Sequence, residues 1–254
     1  MATSATATRK PRASGKTAAR KTGKVVAPRS NTAKSSTVKR GTGVREQNAQ
    51  NTRDSILKAA IRIFAKHGYD GGSVEKISRQ AKSYDRMIYY YFGSKEGLFI
   101  QVIEEIYRRM NEAEAELDLD FSQPVEALTA MTHFVMDYYR EHPEFVTLLN
   151  TENLHKGKHI GKSDRAREYS SQLISLLGQI LESGAAKGLF RKDISARDLY
   201  LLIAANGYFY MSNRYTLASF LGESIDTPEA VAHWRSFVMD TVLRAVSPQG
   251  KPAG

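Results

Sequence analysis

From residue 52 onward, apolar side chains recur at helical spacing. Ile56, Leu57, Ala60, Ile63 and Phe64 fall on one face of a 3.6-residue repeat and predict a first helix. Thr52 stands at the N-cap position, Asp54 complements the helix dipole, and Gly68 is placed to end the helix. Ser73 then opens a short helix with Val74, Ile77 and Ala81 inward. Ser83 is placed to open a third, with Met87, Ile88 and Phe92 inward. Three short helices joined by tight turns describe a helix-turn-helix unit, centred on residues 73–92.

The helical pattern continues to the end of the chain. Ser94 caps a long helix to about residue 117, with Leu98, Val102, Ile106 and Met110 inside. Pro124 opens the next, which ends near His142, and Pro143 starts a short helix through Asn150. A long helix is predicted over 163–187, begun by Ser163 and Asp164 and closed by Gly188. Ser195 and Asp198 form a capping box for 196–214. Thr227-Pro228-Glu229 begins the last helix, which carries Val231, Trp234, Phe237, Val238 and Leu243. No segment alternates as a strand does, so the expected fold class is all-α.

Charge adds a separate N-terminal segment. Residues 1–45 hold twelve Lys or Arg and no acid, leaving 25 basic and 27 acidic side chains after them. The net charge of +10 therefore belongs to the tail. Residues 1–50 lack aromatic side chains and are rich in Ala, Thr, Ser, Lys and Arg. Such a segment cannot bury enough surface to offset its chain entropy, and is expected to be disordered. A flexible polycation gains affinity for DNA by counterion release, without sequence preference; the alternative expectation is a solubilising extension with no partner. The domain plan is thus a basic tail over 1–50, a helix-turn-helix over 51–97 and a second helical domain over 98–247.

Several chemistries are disfavoured. With no cysteine, disulfides and thiolate sites are excluded. No apolar run reaches the roughly eighteen residues of a membrane span, and the N-terminus lacks a secretory apolar region. Its Arg- and Ser-bearing, acid-free character is shared with organelle transit peptides, but Pro11, Gly15, Gly23 and Pro28 interrupt a long amphipathic helix there. The expected location is the cytoplasm, on the nucleoid. Gly157-Lys158-His159-Ile160-Gly161-Lys162-Ser163 has three residues between its glycines where a phosphate-binding P-loop needs four, and follows a predicted helix rather than a strand. It reads as a polar loop. Glu152, His155 and His159 lack a further firm ligand and read as a solvated face, so no metal is expected. No catalytic constellation or cofactor motif stands out, and neither enzyme activity nor a cofactor is expected.

At residues 53–99 the run RDSILKAAIRIFAKHGYDGGSVEKISRQAKSYDRMIYYYFGSKEGLF resembles the DNA-binding domain of the TetR family of regulators. The resemblance rests on Phe64, Gly68, Ser73, Ile77, Ala81, Tyr89, Phe92, Lys95 and Leu98, including the Y-x-x-F-x-x-K-x-x-L spacing. The stretches at His142-Pro143 and at Glu152-Asn153-Leu154-His155 resemble regulators of aromatic or N-heterocycle catabolism. The resemblance implies that a recognition helix near 84–91 enters the major groove of double-stranded DNA. It implies phosphate contacts from Tyr89, Tyr90 and Lys95 and a guanine contact from Arg86, with Tyr84 and Asp85 on the same face and Ser73 beside them. Two positions depart from the family pattern. Lys82 stands where many members have Gly, so it must take a left-handed conformation or remodel the turn. Asp85 stands where relatives are often polar or basic, and a carboxylate there is tolerated near phosphates if it accepts from a cytosine amine.

For the rest of the chain, the resemblance implies a domain that forms a homodimer and encloses a small-molecule effector. The helices at 196–214 and 228–246 offer Trp234, Phe237 and Val238 for dimerisation. Tyr138, Glu152, Asn153, Asn206, Phe209 and Tyr210 are the candidate effector contacts, as polar or aromatic groups within apolar helices. The expected function is a sequence-specific repressor released from a palindromic operator by its effector. The competing expectation is a ligand-independent architectural protein whose basic tail dominates binding.

Overall fold

The computed structural model describes residues 38–163 and 165–248. Among them it contains ten α-helices, one 3-10 turn and no strand, in keeping with the all-α expectation. From Val44 onward the chain forms one compact unit.

Helix α1 (Val38–Gly71) begins well before residue 52. The expected disordered tail is therefore corrected for residues 38–50, which are helical. Thr52 is not a cap: its hydroxyl donates to the Asn48 carbonyl at 2.8 Å, inside the helix. No proline falls between residues 38 and 71. The i,i+4 pairs Gln47–Asn51 (3.1 Å) and Gln50–Asp54 (2.8 Å) support the exposed extension. A helix nucleated by the packed turns at Ile56–Phe64 propagates into such sequence at little cost. Of the twelve basic residues of 1–45, nine fall outside the described residues, and Lys39, Arg40 and Arg45 lie in α1. Gly68 breaks the regular helix as expected, with φ +68°.

Helices α2 (Val74–Gln80) and α3 (Asp85–Phe92) follow. Ser73 accepts from the Lys76 N–H at 3.3 Å and caps α2 as expected. Ser83 does not cap α3; Tyr84 holds that position without a side-chain bond, because Ser83 is committed to closing α2. Its N–H donates to the Ser78 carbonyl at 2.9 Å and that of Lys82 to Arg79 at 3.2 Å. This is the Schellman pattern, which puts Lys82 in the left-handed position at φ +52°. Of the two ways open to Lys82, the turn uses the left-handed one.

Helix α4 (Lys95–Ala115), capped by Ser94, joins the DNA-binding end to the rest of the molecule. A Cβ at Gly97 would sit 2.2 Å from the Phe92 carbonyl oxygen, so glycine is what lets α4 start so close to α3. The remaining helices are α5 (Pro124–Glu141), α6 (Pro143–Leu154), α7 (Ala166–Ala186), α8 (Ala196–Ser212), α9 (Arg214–Leu221) and α10 (Pro228–Val246), with the 3-10 turn at Ile160–Lys162. Helix α6 runs one turn beyond the expected Asn150. Helix α7 begins at Ala166 without a side-chain cap, rather than at Ser163. The Ser195 and Thr227 caps form as predicted. Helix α9 was not anticipated. One core runs through the compact unit, from Ile56, Phe64 and Ile88 through Phe99, Val102 and Leu128 to Leu177, Ile203, Val238 and Val242.

Candidate DNA interface and its link to the helical body

Helix α3 is built as a two-sided element. Ile88 and Phe92 are buried against the core, as predicted, and Met87 is half-buried. The opposite side carries Tyr84, Asp85, Arg86, Tyr89 and Tyr90, all exposed. Of the three consecutive tyrosines, Tyr90 is 77% exposed, Tyr89 54%, and Tyr91 is half-buried, in line with a helix that cannot turn all three inward. The Arg86 guanidinium lies 5.4 Å from the Tyr84 ring centre, which holds two of the exposed groups together.

Asp85 is already occupied. Ser78 of α2 donates a very short hydrogen bond to its carboxylate, and the charge lies in the first turn of α3. The carboxylate that looked unfavourable in sequence thus joins α2 to α3. Ser55 of α1 donates to the Ala81 carbonyl at 3.1 Å, fixing the same turn from the other side. Arg53 reaches Gln101 at 2.7 Å and lies over the Phe92 ring at 5.1 Å. Lys95 sits 4.7 Å from the Tyr69 ring centre and donates to the Asp70 carbonyl at 3.4 Å. Exposed side chains on α3 are therefore carried by a frame of α1, α2 and α4.

The expectation of a solvated face at Glu152, His155 and His159 is corrected. Glu152 and His159 are buried. The Glu152 carboxylate accepts the backbone N–H of His159 (2.7 Å) and of Ile160 (2.8 Å), and pairs with His159 Nδ1 (2.7 Å). One carboxylate thus folds the polar loop back into the 3-10 turn, a long-range pairing that residue spacing does not reveal. His155 bonds the Thr151 carbonyl (2.8 Å) and faces Asp70 (3.4 Å). Among the described residues no cluster of His, Cys, Asp and Glu has the geometry of a metal site.

This turn meets the DNA-binding end. Tyr69 packs on His159 (4.5 Å between ring centres) and His155 (5.4 Å), while Phe99 packs on His159 (4.9 Å). Lys162 pairs with Glu96 at 2.7 Å and Ser163 with Glu104 at 2.6 Å. The stretch from α6 to α7 is thereby tied both to Tyr69, beyond Gly68, and to the first half of α4.

The six candidate effector contacts are dispersed. Glu152 serves the turn just described. Tyr138 is buried against His142 and Phe145. Asn153 is exposed and lies 3.4 Å from the Tyr208 hydroxyl. Asn206 bonds its own helix at Leu202 (2.7 Å), Phe209 is 57% exposed, and Tyr210 donates to the Ile225 carbonyl (2.5 Å). Tyr107, Glu114, Tyr139 and Tyr200 were not among the candidates, since their helical spacing reads as ordinary core. The proposed dimer face is also amended: Val238 is fully buried within its own core. Trp234 instead stacks between Tyr210 (5.2 Å) and Phe237 (5.6 Å), and Phe209 and Phe237 remain exposed.

An exposed polar helix following a tight turn, on an all-helical body, defines a helix-turn-helix DNA-binding regulator. The comparisons agree. Residues 56–102 match the family described as "Bacterial regulatory proteins, tetR family", and residues 124–242 match "Tetracyclin repressor-like, C-terminal domain". The chain is 54% identical over 207 residues to the HTH-type transcriptional repressor NicS of Pseudomonas putida, covering 82% of this chain and 98% of that one. It is 29% identical over 158 residues to the HTH-type transcriptional repressor SCO4008 of Streptomyces coelicolor, covering 61% and 75%. A crystal structure of a TetR transcription regulator from Haloarcula marismortui shares the fold, with a TM-score of 0.60 at 18% identity over 79% of this chain and all of that one. This protein belongs to the TetR family of bacterial transcriptional regulators.

Proposed function

We propose that the protein is a repressor that binds a palindromic operator as a homodimer and is released by a small-molecule effector. The observation that carries this reading is the exposed face of α3, where Tyr84, Arg86, Tyr89 and Tyr90 stand clear of a helix anchored by Ile88 and Phe92. Arg86 reads a guanine in the major groove. Tyr89, Tyr90 and Lys95 hold phosphates, and Ser73 flanks them at the start of α2. Asp85 acts by holding Ser78. The working division is a helix-turn-helix over 51–97 and an effector and dimer domain over 98–247, acting in the cytoplasm on the nucleoid. The basic segment in front adds non-specific affinity.

Dimerisation falls to α8 and α10, whose outer sides present Leu201, Phe209 and Phe237. Two recognition helices one DNA turn apart, about 34–36 Å, then read two half-sites. An effector that favours a different spacing shifts the population off DNA. The contacts of Tyr69 with His155 and His159, and of Glu96 with Lys162, are the mechanical route between the two domains. The test is operator binding measured by fluorescence anisotropy, on DNA selected from the genome by the protein itself. Arg86→Ala is expected to relax preference at one base position in each half-site. Tyr89→Phe is expected to weaken binding to all sequences alike. An Arg86→Ala protein with unchanged preference at every position would remove the assignment of α3.

A further inference from the structure

Glu114, near the end of α4, is 2% exposed, and among the described residues neither of its carboxylate oxygens has a hydrogen-bond partner. Leaving a buried carboxyl unpaired costs stability, so proteins rarely keep one without a use. Burial pushes its pKa up to about 7. Burial raises the pKa of the Tyr200 phenol on α8, and the charge of Glu114 adds to that shift. Tyr107 on α4 and Tyr139 on α5 both pack on Phe145, at 5.4 and 5.7 Å between ring centres, and burial raises both phenols, with Tyr200 and Tyr208 adding to the shift. The Tyr139 and Tyr208 rings lie 6.2 Å apart, edge to face. Four phenols and one unpartnered carboxyl thus converge from α4, α5 and α8.

We infer that Glu114 and the tyrosines around Tyr200 form the effector site, and that it takes a small flat aromatic molecule presenting N–H donors on one edge. The two free oxygens of Glu114 accept a pair of parallel N–H bonds, as from an amidinium or a 2-aminopyridinium edge. Ring faces and edges of the tyrosines sandwich the flat body. A ligand carboxylate at the same place meets Glu114 itself, and is disfavoured by like charge. Helix α4 carries Glu114 at one end and Lys95, beside the DNA-binding end, at the other, about 28 Å away along the helix axis.

This inference rests on the repressor reading above, and the two are separable by experiment. Benzamidine, benzamide and benzoate share one shape and differ in N–H donors and charge. Thermal unfolding of the full chain at pH 8 is measured with each at millimolar concentration. Benzamidine is expected to raise Tm by about 3 °C, benzamide by less and benzoate not at all, with the benzamidine gain lost in Glu114→Gln. Benzoate matching benzamidine, no gain from any of the three, or a gain kept in Glu114→Gln would overturn the site. The comparison on the unsubstituted protein stands even where the variant fails to fold. Benzamidine binding without release of operator DNA would leave the site in place and count against effector-driven release.

Discussion

Lys82 is one of two non-glycine residues, with Lys156, whose backbone is left-handed among the described residues. It occupies the left-handed position that closes α2, where a Cβ costs roughly 1–2 kcal/mol. Lys82→Gly is therefore expected to stabilise the protein by about 1 kcal/mol, read as a higher denaturation midpoint with an unchanged slope. Glu114 makes an opposite kind of prediction. Its native carboxyl is raised to about 7 from an ordinary value near 4.5, so the folded state holds a proton that the unfolded state gives up across that interval. The stability this contributes is complete below about pH 4.5 and is lost as pH rises through 7. Urea unfolding at a series of pH values should show that fall, and Glu114→Gln should flatten it. Both residues also mark the limits of sequence reading. The strain at Lys82 was visible because the family resemblance places a glycine in that turn. Nothing in the spacing of Tyr107, Glu114, Tyr139 and Tyr200 distinguishes a site from core, because their meeting depends on how three separate helices cross.

At the level of elements, the helices that declared themselves were those whose ends carry a side-chain stop or start. Ser73, Ser94, Ser195 and Thr227 each accept the N–H that an N-cap should, and Pro124, Pro143 and Pro228 each stand in the first turn. Elements without such marks were misplaced. The front of α1 has no inward face to reveal it, and α9 leaves Phe220 and Leu221 exposed, so no helical stripe marked it. The join between α3 and α4 is the element-level weak point. Gly97→Ala drives a methyl group onto the Phe92 carbonyl, and either α3 or α4 must shift. The expected cost is about 1–3 kcal/mol in chemical denaturation, together with weaker operator binding, since α3 loses its seat. A variant as stable as the parent would show that the two helices have slack.

Over the whole molecule, charge and fold are divided between different parts of the chain. The sequence after residue 45 carries slightly more acid than base, yet contains the complete helix-turn-helix. On the proposed reading, specificity belongs to α3 and much of the electrostatic affinity to the basic segment before it. The all-α class and the three-helix unit were legible because hydrophobic period and caps are local. The Glu152 turn was not, and the proposed dimer face and effector site were not, because they depend on contacts between residues distant in sequence. The most direct measurement is operator affinity against salt concentration, for the full chain and for a chain beginning at residue 46, on the selected palindrome and on scrambled DNA. The account predicts that the shorter protein keeps its preference for the palindrome, while log K against log salt becomes shallower by roughly one unit per lost phosphate contact. Loss of all preference on truncation at physiological salt would contradict it, and would make the basic segment the principal DNA-binding element.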